Sequence, residues 1–123
     1  MTWAKFITII GMVESSFDVA AINEKENAIG LLQIRPCVVE DVNNHYGTDF
    51  NHLDCYDTVV ASTVCVLYIK MWCKKKKYKC HVENAARIWN GGPDGPNKDS
   101  TLAYLNKIKG ICDEKISVIK RHN

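Results

Sequence analysis

Apolar residues recur every three or four positions along most of the chain, and runs of strict alternation are nearly absent. This period places apolar side chains on one face of a helix, whereas alternation would indicate strands. Trp3, Phe6 and Phe17 fall at helical spacing and are predicted to join the core. The pattern predicts helices over residues 3–17, from Pro36 to about Gly47, over 56–72 and 82–89, from Ser100 to Gly110, and over 111–121. The predicted fold class is all-α.

Residues that start or stop helices bound these segments. Pro36 suits a first helical turn, because its ring lacks an N–H that would have no partner there. Asp54 and Ser100 are predicted N-caps. The run Asn90-Gly91-Gly92-Pro93 is a strong stop signal, and Gly110 is expected to break the last helical stretch in two.

Length and composition fit one globular domain over residues 1–123. The chain is 46% hydrophobic and 24% charged, which are ordinary globular values. No apolar run reaches the roughly 18 residues that a membrane span needs, because Glu14 ends the run Phe6–Val13, so stable membrane insertion is not expected. A net charge of +2 is too small to predict a dedicated nucleic-acid binder.

The sharpest charge cluster is Lys74–Lys77, followed by Tyr78 and Lys79. A nucleic-acid site needs basic charge spread over a face with several stacking aromatic rings, and only Tyr78 interleaves here. A solvated loop between two helices is the simpler interpretation. Weak attraction to an anionic cell wall is a third.

Six cysteines occur in the chain, and none forms a CxxC pair. Their spacing fits no zinc template, and the four histidines form no close pair, so neither a metal nor a cofactor is expected. Disulfides of an oxidising compartment and buried free thiols both remain open. No small-residue cleavage site follows Phe6–Val13, so this segment is interpreted as mature domain. Either a leader was removed before Met1, or export follows another route.

Position 14 completes the apolar face 3, 7, 10, 14 and 17 of the first helix, and it holds a glutamate. Burial disfavours the charged form of a carboxyl group and raises its pKa, as a general acid requires. The alternative is that the helix frays here and Glu14 turns to solvent.

Four short motifs follow one another along the chain. They are Glu14-Ser15, Gly30-Leu31-Leu32-Gln33, Trp89-Asn90-Gly91-Gly92-Pro93 and Thr101-x-x-Tyr104. In these motifs, and over roughly residues 3–111, the chain resembles the soluble lytic transglycosylase domains, which have a goose-type lysozyme-like fold. The resemblance implies a lysozyme-like helical domain with a substrate groove.

Carried over position by position, the resemblance implies that Glu14 is the single catalytic acid/base. Gln33 and Asn90 would hold sugar amides and hydroxyls, while Trp89 and Tyr104 would offer flat faces to sugar rings. The implied substrate-binding residues are Asn23, Gln33, Trp89, Asn90 and Tyr104, with no metal ligand.

The chain also departs from the family pattern. Asn23 stands where the family usually has a serine, and Trp89 stands where it has a tyrosine. Ser100 replaces an acid that many members carry before the threonine. Arg35 replaces an apolar residue often seen after the glutamine motif, and the segment between Asn23 and Gly30 is one residue longer than usual.

The activity implied by the resemblance is cleavage of peptidoglycan between N-acetylmuramic acid and N-acetylglucosamine. The bond would break without water and leave 1,6-anhydro ends. The implied location is extracytoplasmic, in the periplasm, secreted or delivered to the wall. A secretion, conjugation or phage wall-penetration assembly would be a fitting partner.

Two other functions stay open at this point. A hydrolytic lysozyme would need a second carboxylate to position water, and Asp18, Glu24, Glu26 and Asp94 are candidates. A non-catalytic glycan-binding or structural module could keep the fold without turnover.

Overall fold

A computed structural model describes residues 1–122, with side chains described up to residue 113. This part of the chain forms five α-helices and one two-stranded sheet, which confirms a mainly-α fold. The elements are α1 (Trp3–Ser15), β1 (Ile22–Asn23), β2 (Ala28–Ile29), α2 (Pro36–Tyr46), α3 (Thr58–Lys76), α4 (Val82–Gly91) and α5 (Leu102–His122). Short 3₁₀ turns lie at His52–Tyr56, Gly95–Asn97 and Asp99–Thr101. None of the described helices is long and apolar enough to cross a membrane.

Helix α3 is the centre of the core. It packs against α2 and α4, while α5 packs against α4 and α1. Its apolar residues point in several directions because neighbours surround it, as expected for a central helix. The buried residues of α3 are Ala61, Val64, Cys65, Tyr68, Ile69, Met71 and Cys73.

Helix α1 ends at Ser15, two residues earlier than the hydrophobic pattern predicts. Ser16 and Phe17 both adopt left-handed backbone conformations, with φ of 53° and 65°. Their N–H groups donate to the carbonyls of Met12 and Gly11 and so close the helix end. The turn directs Phe17 outward, where it is 50% exposed. The prediction that Phe17 belongs to the core is therefore wrong, whereas Phe6 is buried.

The N-cap of α3 is Asp57, not the predicted Asp54. The Asp57 carboxylate accepts hydrogen bonds from the N–H groups of Val59 and Val60 at 2.9 and 3.1 Å. At its other end the helix continues through Lys74, Lys75 and Lys76. Most of the lysine cluster thus forms the last helical turn, where positive charge interacts favourably with the helix dipole, rather than a loop.

Helix α5 runs unbroken through Gly110 to His122, so the predicted break and separate helix over 111–121 are wrong. A glycine inside a helix costs only about 1 kcal/mol relative to alanine. In the same helix, Tyr104, Leu105 and Ile108 are buried in the core. This packing outweighs the single unfavourable glycine.

Strands β1 and β2 form a small antiparallel hairpin that the sequence pattern does not predict. Ile22 pairs with Ile29 and Asn23 pairs with Ala28. Two residues per strand are too few for a recognisable alternation. The hairpin matters because it forms one wall of the cleft described next.

Candidate functional site

An open cleft of about 220 Å³ lies between the end of α1, the hairpin, the start of α2 and the end of α4. It brings together five of the six predicted site residues, and the sixth, Tyr104, contacts one of them. The lining residues are Glu14, Asn23, Glu26, Ala28, Gln33, Arg35, Val38, Trp89 and Asn90. Two further depressions, one beside Trp3 and His81 and one between α1 and α3, have no carboxyl group in their lining.

Glu14 lies in the last turn of α1 and is half-buried. Its Oε2 accepts a hydrogen bond from the Tyr104 hydroxyl at 3.1 Å. The helix is intact at this position, so the alternative in which it frays before Glu14 is wrong. The carboxyl group is held at the cleft with a fixed neighbour.

The pKa of Glu14 is raised above its ordinary value of 4.5, chiefly because burial disfavours the charged form. The negative charge of Glu26 raises this pKa further. The Tyr104 hydrogen bond and the positive charges of Arg35 and Lys107 oppose the shift. The net effect is a raised pKa, which favours the protonated form of Glu14, the form that can donate a proton.

Ser15 connects the C-terminal end of α1 to the turn that contains Gly30. Its hydroxyl lies 2.8 Å from the Leu31 carbonyl oxygen, to which it donates, and it accepts from the Asp18 N–H at 3.1 Å. Gly30 in that turn has φ of 75°, and a Cβ there would press against the Cys55 carbonyl oxygen. Both the backbone conformation and the close approach therefore require glycine.

Gln33 is fixed by its own amide group. Nε2 donates to the carbonyls of Ala21 at 3.2 Å and Gly30 at 2.9 Å, which ties the side chain to the base of the hairpin. Within the described part of the chain, its Oε1 accepts no hydrogen bond. That oxygen is the polar atom that Gln33 can offer to a ligand in the cleft.

Asn23 and Asn90 are exposed and line the cleft, one on the hairpin and one at the end of α4. The Asn23 Oδ1 accepts from the Glu26 N–H at 3.4 Å, so Asn23 also shapes the hairpin loop that carries Glu26. Each of the two amides can both donate and accept hydrogen bonds in the cleft.

The two aromatic residues of the predicted site are more buried than a sugar-stacking role requires. Trp89 is 7% exposed and packs edge-on against Tyr68, with ring centroids 5.8 Å apart. Tyr104 is 8% exposed, and its hydroxyl is engaged with Glu14. The expectation that Tyr104 offers a flat face to a sugar ring is not met. Trp89 lines the cleft with only the small part of its surface that stays exposed.

The turn after α4 is held by a buried hydrogen-bond network. Thr101 is 1% exposed, and its hydroxyl accepts from Arg87 Nε at 2.7 Å. The same hydroxyl lies 2.9 and 2.8 Å from the carbonyl oxygens of Gly95 and Lys98. This network ties Arg87 of α4 to the turn at Gly95 and Lys98, which gives the threonine of the fourth motif a structural role.

The cleft contains two charged residues, Glu26 and Arg35, whose positions the sequence pattern does not predict. Glu26 was one of four candidate acids, and it is the one that lines the cleft with Glu14. In the sequence, Arg35 is distinguished only as a departure from the family pattern. No local signal distinguishes Glu26 from Glu24, because the hairpin that selects between them is itself not predictable from the pattern.

The described residues contain no group of three or more His, Cys, Asp or Glu side chains arranged to hold a metal ion. All six thiols are free, and Cys55, Cys65 and Cys73 are buried in the core. These three fit the interpretation of cysteine as a small hydrophobic residue.

Together, the fold and the cleft define a mainly-α, lysozyme-like domain. A family model described as "Transglycosylase SLT domain" matches residues 1–110. The chain therefore belongs to the SLT transglycosylase domain family, whose members have glycan-cleaving roles of the lytic transglycosylase or lysozyme-like kind. It is also similar to a protein of Ostrea edulis named "Lysozyme", with 39% identity over 56 residues. That match covers 45% of this chain and 41% of the oyster protein.

Proposed function

We propose that this domain is a lytic transglycosylase in which Glu14 acts as the single acid and base. Its substrate is the β-1,4 bond between N-acetylmuramic acid and N-acetylglucosamine in peptidoglycan. The observation that carries the proposal is the half-buried Glu14 carboxyl group, with its raised pKa and its Tyr104 hydrogen bond, at the wall of a polar cleft.

In the first step, protonated Glu14 donates its proton to the glycosidic oxygen as the bond breaks. The N-acetyl carbonyl of the muramoyl residue stabilises the positive charge that develops at C1. Glu14, now ionised, keeps the Tyr104 hydrogen bond, which stabilises its negative charge.

In the second step, the muramoyl C6 hydroxyl attacks C1 and gives its proton to Glu14. A 1,6-anhydro ring closes, and Glu14 regains the protonated state with which it began. The two steps together consume no water. One carboxyl group is sufficient for both, because Glu14 acts as the acid in the first step and as the base in the second. The free Oε1 of Gln33 and the amides of Asn23 and Asn90 orient the sugars, and the exposed part of Trp89 packs beside them.

Such an activity places the domain outside the cytoplasm, in the periplasm, secreted or delivered to the cell wall. Glycan strands are then its partner, and an assembly for secretion, conjugation or phage entry is a suitable setting. Membership of the SLT family supports an extracytoplasmic site of action.

The test is clearance of purified sacculi by Glu14→Gln, with Glu24→Gln as its matched control. Gln keeps the shape and the acceptor oxygen for Tyr104 but cannot donate an acidic proton. Glu24 lies in the exposed hairpin loop outside the cleft lining. We expect Glu14→Gln to lose at least about 10²-fold in rate and Glu24→Gln to match the parent. Clearance by Glu14→Gln at the parent rate would refute the proposal. A parent that binds sacculi without clearing them would indicate a binding module.

The second candidate function is hydrolysis, and the presence of Glu26 in the same cleft favours it. A second carboxylate opposite the acid could activate water, as in inverting enzymes, or act as a nucleophile, as in retaining ones. Hydrolysis predicts that Glu26→Gln loses activity as severely as Glu14→Gln does. The transglycosylase reaction predicts that Glu26→Gln retains most of its activity.

A further inference from the structure

Arg35 places a guanidinium group in the cleft without a protein partner. Among the residues whose side chains are described, this group makes no hydrogen bond and no ion pair within 4.0 Å. Arg87 provides the contrast, because its Nε donates to Thr101 and its terminal nitrogen donates to the Lys98 carbonyl at 2.9 Å. Arg87 has a structural role that Arg35 lacks.

The position of Arg35 is electrostatically unusual. It is the N-cap residue of α2, whose first turn contains no acidic residue. The N-terminus of a helix carries partial positive charge, so a cation is unfavourable there while an anion is favourable. The charge of Arg35 and the helix dipole therefore act in the same direction. Nothing in the described protein neutralises them within contact distance.

Arg35 is also the one cation among the residues that line the cleft. It shares this lining with two acids, Glu14 and Glu26, and it is half-buried. It does not pair with either acid within 4.0 Å, so its donors remain available to a ligand. A planar guanidinium group presents a fork that matches a carboxylate.

We propose that Arg35 binds a carboxylate of the glycan strand beside the cleaved bond, so that the domain prefers anionic strands. This inference rests on the proposed function, because it takes the muramoyl strand as substrate. A glycan strand has two kinds of carboxylate that a guanidinium group can bind. One is the lactyl group of a muramoyl residue that has lost its stem peptide, and the other is a carboxylate of the stem peptide itself.

The test compares cleavage of strands that differ only in charge. Glycan stripped of stem peptides and glycan that carries them are each used as prepared and after conversion of their carboxylates to neutral methylamides. The parent, Arg35→Gln, Arg35→Lys and Lys25→Gln are measured on all four. Lys25 lies exposed in the hairpin loop outside the cleft lining, so Lys25→Gln controls for the loss of one positive charge.

We expect neutralisation to lower kcat/KM of the parent about 10-fold, in line with the strength of a charge-assisted hydrogen bond. Arg35→Gln should lose about 10-fold on anionic strands and no longer distinguish them from neutral ones. Arg35→Lys should keep part of the preference, because it has the charge without the fork. Lys25→Gln should behave as the parent does. A preference on stripped strands identifies the lactyl carboxylate, and a preference confined to peptide-bearing strands identifies the stem.

Equal cleavage of charged and neutral strands by the parent would overturn the inference, as would a preference that survives in Arg35→Gln. Both results would leave the proposed function standing. Absence of cleavage of every strand would instead overturn the proposed function. In that case, the affinity of the parent and of Arg35→Gln for charged and neutral strands still decides whether Arg35 binds a carboxylate.

Arg35 also lowers the pKa of Glu14, so a purely electrostatic role needs a separate readout. Loss of that effect would move the alkaline limb of the pH profile to higher pH on every strand, charged or neutral. Loss of carboxylate binding changes the ratio between charged and neutral strands at a fixed pH. A shifted limb with an unchanged ratio would contradict the proposal.

Discussion

The Tyr104 hydroxyl donates a hydrogen bond to Glu14 Oε2 at 3.1 Å and joins two residues that lie 90 positions apart in the chain. Helices α1 and α5 pack together and create this contact. The phenol supplies a donor to a half-buried carboxyl group at the wall of the cleft. Because the hydrogen bond favours the ionised form, it limits the rise in the pKa of Glu14 that burial causes.

Tyr104→Phe should move the alkaline limb of cleavage to higher pH. Removal of the hydroxyl destabilises ionised Glu14, so its pKa rises and the acid form persists further into the alkaline range. We expect the maximal rate to fall about 10-fold as well, because Glu14 loses a charge-assisted hydrogen bond that orients it. The measurement is the pH profile of sacculus clearance.

Tyr46→Phe is the matched control for this change. The Tyr46 hydroxyl donates to the Leu67 carbonyl at 3.0 Å and does not line the cleft. Its removal should leave the pH profile unchanged. An alkaline limb that stays in place or moves to lower pH in Tyr104→Phe would contradict the role assigned to the hydrogen bond.

Glu14→Gln should be more stable than the parent above the pKa of Glu14. Burial raises the folded-state pKa above 4.5, so the folded protein holds this proton more tightly than the unfolded chain does. Stability of the parent therefore falls as pH rises from the unfolded to the folded pKa, and the loss persists at higher pH. Gln does not ionise and avoids this loss.

Thermal unfolding across a pH series measures the effect. The stability difference between Glu14→Gln and the parent should be present at alkaline pH and should diminish as pH falls toward 4.5. Glu24→Gln controls for the general loss of one negative charge. A parent that equals or exceeds Glu14→Gln in stability at alkaline pH would show that Glu14 is not destabilised by burial.

Thr101→Val should destabilise the fold through the turn that follows α4. The change leaves Arg87 Nε and the carbonyls of Gly95 and Lys98 without their buried hydroxyl partner. An unsatisfied buried polar group costs about 1–3 kcal/mol. At roughly 4 °C per kcal/mol for a domain of this size, Tm should fall by roughly 4–12 °C. Thr101→Ser, which keeps the hydroxyl, should lose less, and equal losses in the two variants would rule out the network as the cause.

Thiol reactivity should follow burial. Cys37 and Cys80 are exposed and should react first with a thiol reagent in the native protein. Burial raises the pKa of Cys55 to about 11, and burial with a hydrogen bond to Cys80 raises the pKa of Cys73 to about 12, so both should react only after unfolding. The denatured chain should give six thiols without reductant. Additional thiols on reduction would reveal disulfides instead.

The sequence predicts those parts of the fold that depend on local signals. Pro36 and Gly47 do bound α2, and Val38, Val39 and Val42 form its buried face. Prediction fails where a local signal is weaker than packing, as at Gly110, or where two acids compete for one cap, as at Asp54 and Asp57. The end of α1 depends on Ser16 and Phe17, two residues that adopt left-handed backbone conformations without being glycine. A pattern of apolar positions does not reveal such conformations.

The candidate site, like the fold, is only partly predictable from the sequence. Glu14 stands out in the sequence because a carboxylate interrupts an apolar face. The motifs point to Gln33, Trp89 and Asn90, and the position-by-position resemblance adds Asn23; all four line the cleft with Glu14. The donor to Glu14 could not be predicted, because it comes from a contact across 90 residues. Glu26 and Arg35 enter the cleft through the hairpin and the start of α2, and their roles depend on that three-dimensional arrangement.

The fate of solvent oxygen tests the central claim most directly. Sacculi are digested by the parent in water enriched in heavy oxygen, and the muramoyl ends are analysed by mass spectrometry. The transglycosylase reaction predicts ends that are one water lighter than hydrolysed ends and that carry no heavy oxygen. Reducing ends that each contain one heavy oxygen atom would contradict the account and establish hydrolysis.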